Sequence, residues 1–314
     1  MTIHEPAAIS DENSPTKETT YSACGCKGIR YCRLCVNSER VARLQLSTPD
    51  KYSGYKCFVF NPRLQCTTSE SNELPFYSPL IATNVNPKSS VEEIAQACCS
   101  TNVGMDLVES ITGLTLITNF LTESEEQFLL ERIDERPWIA SQSGRRKQDY
   151  GPRVNFKQHK VKMDGFVGMP DYVDLILQKM EKTNNSVLSN FPACELCNLE
   201  YAQWRESSID FHKDDAWIWG NRLISINLVN DSVITLEDEN SKRLVFVYMP
   251  RRSLLCMADE TRHTYKHGIF PQHIVGRRLA MTLREPSSHF MTGGELYEKY
   301  GKELIRLGNL RVDN

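Results

Sequence analysis

Residues 277–285 read RRLAMTLRE, an alternating stretch over 279–283 flanked by Arg278 and Arg284. Successive side chains on a strand point to opposite faces, so the even separation puts both guanidiniums on one face. Working outward, short apolar segments recur at 224–228, 233–236, 244–249 and 254–257, separated by Asn, Asp, Pro and Arg turns. Many short strands in series predict a sandwich or barrel, a mainly β class with flanking helices. Upstream, 114–120 reads as a strand, and Thr122 with Glu125 forms a capping box opening a helix through Phe128, Leu129 and Ile133. Beyond Gly293 and Gly294, the spacing of Leu296, Tyr300, Leu304 and Leu307 predicts one terminal amphipathic helix.

The rest of the chain is read by composition. Lys and Arg number 37 against 40 Asp and Glu, a net charge of −3, so no whole-molecule field draws the protein to nucleic acid or anionic membrane. Any such binding must come from a local patch. Residues 1–20 are polar and rich in Ser, Thr, Glu and Pro, which predicts disorder and no signal peptide. No apolar run approaches the ~20 residues needed to span a bilayer, so the expected location is intracellular, in cytoplasm and nucleus, with no membrane partner. In a chain of this length and location, 11 cysteines predict reduced thiols or metal ligands. The expected organisation is a disordered 1–20, a cysteine cluster at 21–45 and a variable segment at 46–113. A catalytic domain at 114–290 and a terminal helix at 291–314 follow. Within the variable segment, 55–60 reads as a strand and 91–99 as a helix.

In DFHKDDAW, residues 210–217, one residue separates His212 from Asp214, so both face the same way on a strand. A 2-His-1-carboxylate facial triad needs one more imidazole, and His267 in RHTYKHGI supplies it. Such a triad suits Fe(II) and leaves coordination positions open for a chelating co-substrate and oxygen. Arg278 and Arg284, on a strand following His267, are expected to line the triad's cavity, where a guanidinium holds a carboxylate in bidentate fashion. His263 lies four residues before His267, but its surroundings read as strand and turn, so it is expected to be structural. His159, His273 and His289 have no partners in sequence and are expected at the surface.

Together these segments closely resemble the AlkB family of 2-oxoglutarate dioxygenases, in its animal AlkB homologue four branch. The resemblance rests on CGCKGIRYCRLC at 24–35, SQSGRRKQDYGPRVNF at 141–156, DFHKDDAWIWG at 210–220, KHGI at 266–269 and RRLAMTLRE at 277–285. It implies a double-stranded β-helix, a jelly-roll dioxygenase core. It implies iron on His212, Asp214 and His267, the distal carboxylate of 2-oxoglutarate on Arg278, and Arg284 near the co-substrate's other end. Tyr201 resembles the family tyrosine that helps bind 2-oxoglutarate. The family's Asn two residues before that tyrosine is here Leu199, with Asn198 one place earlier. The implied reaction hydroxylates an N-methyl carbon, after which the hemiaminal releases formaldehyde; succinate and carbon dioxide are the other products.

Family members carry a substrate lid ahead of the barrel, and RRKQDYGPRVNFKQHKVK at 145–162 occupies that place with seven Lys or Arg against one Asp. Arg145, Arg146, Lys147 and Tyr150 are the expected lid residues, able to clamp phosphates and stack a base or to meet an acidic protein. The branch is associated with monomethyl-lysine in actin and with N6-methyladenine in DNA. The near-neutral charge favours the protein substrate, for which the resemblance implies regulation of actomyosin, and leaves DNA as the alternative. Cys24, Cys26, Cys32 and Cys35 form C-x-C-x5-C-x2-C, tight enough for four thiolates to surround zinc. Reactive thiols are the alternative there. The cluster also supports a rival class, a zinc-bearing interaction module with an inactive barrel, against which the intact triad and both arginines argue.

Overall fold

The structure is a computed structural model and describes residues 24–44, 51–62, 77–99 and 108–313. The 1–20 segment expected to be disordered lies outside the described residues.

The apolar alternation becomes two facing seven-stranded sheets. In spatial order the first holds Ile209–His212, Lys266–Ile269, Ser232–Asp238, Arg243–Met249, Lys56–Phe60, Tyr77–Ala82 and Val108–Thr112. The second holds Leu114–Ile117, Ser253–Met257, Trp219–Leu228, Arg277–Pro286, Glu195–Ala202, Arg146–Tyr150 and Ile139–Ala140. Neighbouring strands run antiparallel except Lys56–Phe60, which lies parallel to Arg243–Met249. This is a mainly β, double-stranded β-helix core.

Strand Arg277–Pro286 shows what the period of two achieves. Leu279, Met281 and Leu283 turn outward and pack with Leu129, Ile176 and Leu304 of the covering helices Glu123–Asp134, Val173–Lys182 and Lys302–Asn309. Ala280, of the opposite parity, turns inward and joins Leu223, Leu236 and Val245 between the sheets. Each fully buried side chain of this size contributes about 1.5–3 kcal/mol. On the other flank, Ile94 and Cys98 of helix Val91–Cys99 pack on Val233, Leu244 and Phe246. The predicted capping box is present: Glu125 N donates to Thr122 Oγ1 at 3.2 Å, and Thr122 N donates to Glu125 Oε2 at 2.7 Å. No helix among the described residues is long and apolar enough to cross a membrane.

Three expectations change, and the described strands of 46–113 find their partners. The strand predicted over 114–120 stops at Ile117, because Asn119 enters the left-handed region at φ 52° and turns the chain toward the helix cap. The terminal helix opens with a π-turn, Tyr297–Gly301, where a Cβ on Gly301 would collide with the Phe290 carbonyl at 1.9 Å. Within 46–113, strands Lys56–Phe60, Tyr77–Ala82 and Val108–Thr112 extend the first sheet, and Phe58, Phe60, Leu80 and Ile111 fill the space between the sheets. His273 is buried, not at the surface, with its ring edge-on to Phe246 and Phe270 and its Nε2 3.2 Å from the Ser89 carbonyl.

Candidate active site

Strand Ile209–His212 pairs with Lys266–Ile269 in a register that sets His212 opposite His267, their ring centroids 4.3 Å apart. Gly268 permits this approach, since a Cβ there would sit 3.0 Å from the Phe211 ring and the Ile209 carbonyl. Asp214 follows two residues after His212, with Oδ1 3.8 Å from His212 Nε2. One donor atom from each of His212, Asp214 and His267 lies within 4.8 Å of the others.

The groups around this trio fix its protonation. His212 Nδ1 lies 2.7 Å from the Asp210 carbonyl; donating its proton there leaves the Nε2 lone pair facing the cluster. Burial pushes the His267 imidazole down to about 3, and burial lowers His212 as well. Burial alone would raise Asp214, but the Arg284 guanidinium beside it holds it well below the usual carboxylate range. Arg284 grips that carboxylate with Nε at 3.0 Å and Nη2 at 3.1 Å, and its Nη1 donates to Glu195. Two neutral imidazoles and one anionic oxygen are a donor set for a divalent first-row metal.

The same cavity continues to Arg278, past Thr282 and Leu223. Arg278 sits opposite Tyr201 across the sheet, its guanidinium carbon 4.9 Å from the Tyr201 ring centroid. Arg278 is 1% exposed and Tyr201 2%. Arg278 Nε donates to Asn227 Oδ1 at 2.7 Å, whereas Nη1 and Nη2 have no hydrogen-bond partner among the described residues. A buried guanidinium with two free donors is costly, and the arrangement fits a bidentate carboxylate.

Asn227 is the functional residue that sequence reading missed. It lay inside the stretch 224–228, read only as apolar; an amide in a core strand, sharing the parity of Leu223 and Ser225, was the available signal. Asn198 turns the other way, its Nδ2 donating to Gln148 Oε1 and the Tyr172 hydroxyl, while Leu199 lines the cavity.

The expected lid residues divide. Arg145 stays near the cavity, 5.9 Å from the Tyr201 ring centroid, its Nε donating to the Gln142 carbonyl. Lys147 shares the face of Leu199 and pairs with Asp149 at 2.5 Å. Arg146 and Tyr150 belong to no lid: strand Arg146–Tyr150 sends them to the opposite face. There Glu200 takes the Arg146 guanidinium at 2.5 and 2.6 Å, and Tyr150 is buried in the helix-side core. The exposed basic residues are instead Arg153, Lys157, Lys160 and Lys162, on the hairpin Arg153–Asn155 with Lys160–Lys162. His159 at its tip stacks on Trp217, three residues past Asp214, at 4.6 Å and 11°.

The remaining candidates have other partners. His263 closes a short helix, Asp259–His263, rather than a strand or turn, and its Nε2 lies 3.1 Å from Asn221 Oδ1. His289 is exposed and 3.3 Å from Glu295. Cys24, Cys26, Cys32 and Cys35 are free thiols whose sulfurs lie within 4.8 Å of one another, and burial pushes Cys32 up to about 12.

No protein-family model matches the chain. It is 53% identical over 291 residues to a "DNA N6-methyl adenine demethylase" of Caenorhabditis elegans, covering 92% of this chain and 96% of that protein. It is 33% identical over 315 residues to "Alpha-ketoglutarate-dependent dioxygenase alkB homolog 4" of Mus musculus, covering 90% and 93% respectively. The Homo sapiens protein of the same name is 38% identical over 225 residues, 62% of this chain and 74% of that one. None of these names mentions actin. With relatives this similar along nearly its whole length, the chain belongs to the AlkB family of 2-oxoglutarate-dependent dioxygenases, as a demethylase related to its homolog 4 members.

Proposed function

We propose that this enzyme removes the methyl group of N6-methyladenine in DNA by Fe(II)- and 2-oxoglutarate-dependent oxidation. The observation that carries the oxygenase part is the pair of free Arg278 nitrogens, buried in the cavity that also holds His212, Asp214 and His267. These three residues hold Fe(II), which when bound supplies oxygen activation against 2-oxoglutarate. Arg278 takes the distal carboxylate, and Asn227 and Tyr201 hold the guanidinium in place for it. Arg284 keeps Asp214 ionised and correctly turned.

Adenine as the methyl carrier is supported by the name of the 53% identical relative. The hairpin beside the metal loop adds exposed Arg153, Lys157, Lys160 and Lys162 to meet phosphates, and Phe156, 47% exposed, to stack a base. DNA as substrate places this work in the nucleus, with the cytoplasm as the other compartment. Monomethyl-lysine in an actin-like protein is the second reading, and the net charge of −3 is what favours it. The four clustered cysteines hold a second metal, zinc.

A substrate panel tests the assignment. An oligonucleotide carrying N6-methyladenine and monomethyl-lysine actin are incubated separately with enzyme, iron, ascorbate and 2-oxoglutarate, and methyl loss is read by mass spectrometry. Loss from the oligonucleotide alone is expected; loss from actin alone would move the substrate to protein.

A further inference from the structure

The four-cysteine segment is docked on the two loops that frame the metal triad. Gly25 N donates to the Ser141 carbonyl at 3.1 Å, Ser143 N to Cys26 Sγ at 3.2 Å, and Arg33 N to the Arg205 carbonyl at 3.3 Å. Gly144 marks the closeness: at φ +70°, a Cβ there would lie 2.8 Å from the Arg205 carbonyl and 3.2 Å from Cys32 Cβ. The second of these loops runs directly into strand Ile209–His212.

One side chain crosses from the cluster to the ligand strand. Arg30 Nε donates to Asp210 Oδ2 at 2.7 Å, and Arg30 Nη1 donates to Gln142. The Asp210 carbonyl is the group that His212 Nδ1 meets at 2.7 Å. Arg30 is itself held from the cluster side. Arg40 donates to the carbonyls of Arg30 at 2.9 Å and Gly28 at 2.6 Å, and to Cys35 Sγ at 3.4 Å. A continuous line of contacts therefore runs from Cys35 through Arg40, Arg30 and Asp210 to His212.

We propose that Arg30 is a positioning residue for the iron centre, held in place by a zinc ion on Cys24, Cys26, Cys32 and Cys35, so that zinc occupancy raises the affinity for Fe(II). This rests on the iron reading given above. The cluster has little apolar core of its own: Ile29 is 79% exposed and Leu34 41%, while Cys32 and Val41 are its buried apolar side chains. Segments of this kind take their folding free energy from the metal. Without zinc, four sulfurs have no cation to hold them together, and Arg30 loses the backbone that aims it.

Magnitudes make the effect separable from stability. The Arg30–Asp210 pair is solvent-exposed, with side-chain exposures of 44% and 52%, and such pairs add little to folding stability. Its importance is to hold the main chain from which His212 projects, so removing it loosens the iron site and leaves the fold intact.

The test uses the full chain with three variants, Cys32→Ser, Arg30→Ala and Arg30→Lys. Zinc per chain is counted by mass spectrometry, thermal melting is recorded, and Fe(II) is titrated without oxygen, following the visible charge-transfer band formed with 2-oxoglutarate. Wild type is expected to hold zinc. Cys32→Ser should lose zinc and bind Fe(II) more weakly by at least about fivefold, a modest coupling between sites. Arg30→Ala should keep its zinc and its melting temperature, yet weaken Fe(II) by a similar factor, and Arg30→Lys should recover part of the loss. Absence of zinc from wild type, or wild-type iron affinity in Arg30→Ala, overturns the proposal. Should Cys32→Ser fail to fold, the two Arg30 variants decide. A zinc-loaded wild type that gives no band at any Fe(II) concentration overturns the iron reading as well; a band with unchanged Arg30→Ala affinity overturns the coupling alone.

Discussion

Arg278 donates its Nε proton to Asn227 Oδ1 at 2.7 Å, diagonally across two paired strands, and this bond together with Tyr201, 4.9 Å away, holds the guanidinium that lines the cavity. Both residues are almost without solvent exposure. With 2-oxoglutarate bound, Arg278 and the distal carboxylate would form a buried hydrogen-bonded charge pair, and truncating one partner of such a pair costs about 2–5 kcal/mol. Arg278→Ala should therefore raise the half-saturating 2-oxoglutarate concentration by roughly 30-fold or more. Iron content measured on the same preparation should match wild type, because Arg278 does not touch the triad.

Arg284 acts at the other end of the same strand. It contacts Asp214 through two nitrogens, and groups that orient metal ligands typically govern about 10- to 100-fold in affinity. Arg284→Met should weaken Fe(II) binding on that scale and leave 2-oxoglutarate affinity at saturating iron much less changed. Paired titrations of metal and co-substrate measure both.

His273 makes stability depend on pH. Burial pushes its imidazole down to about 4, while the unfolded chain titrates near 6.5. Between those values the unfolded state binds a proton that the native state does not, so stability falls as the pH drops from 6.5 toward 4, by about 1.4 kcal/mol per pH unit. Above 6.5 the residue contributes no slope. Urea unfolding of wild type and His273→Phe across this window should show a shallower pH dependence for the variant.

Glu126 is fully buried on the inner side of its helix, where it accepts from Val229 N at 2.9 Å and Arg251 Nε at 2.7 Å. Arg252 adds a contact at 3.6 Å. Glu126→Ala leaves the buried Val229 amide without its acceptor and should cost about 1–3 kcal/mol, since Arg251 is half in solvent and Arg252 keeps Glu123. Glu126→Gln keeps one acceptor and should lose less in the same thermal melt.

The strands were legible in the sequence because they follow from local period. Alternation over 279–283 fixed which residues of strand Arg277–Pro286 face the cavity; the same-face spacing read for His212 and Asp214 does not apply, because the strand ends at His212 and Asp214 lies in the irregular segment after it. Within 46–113 the strand read at 55–60 and the helix read at 91–99 are present as Lys56–Phe60 and Val91–Cys99, but the strand's place was not legible, because its neighbour Arg243–Met249 lies far along the chain, a partner that periodicity does not reveal. The lid misled for a related reason. Arg145–Tyr150 looks like a basic stripe, but on a strand its charges alternate between faces, and the outward one meets Glu200, fifty-four residues later. His273 was assigned to the surface because a lone His in sequence shows no ring partners; Phe246 and Phe270 supply them only in three dimensions.

The most direct test of the whole account is the yield of formaldehyde and succinate when purified enzyme meets an N6-methyladenine oligonucleotide under iron, ascorbate and 2-oxoglutarate, with His212→Ala alongside. The account predicts that wild type releases formaldehyde equimolar with the methyl groups lost, together with succinate, and that His212→Ala releases neither. Methyl loss that persists in His212→Ala, or a wild type that binds iron fully and forms no succinate, would contradict it.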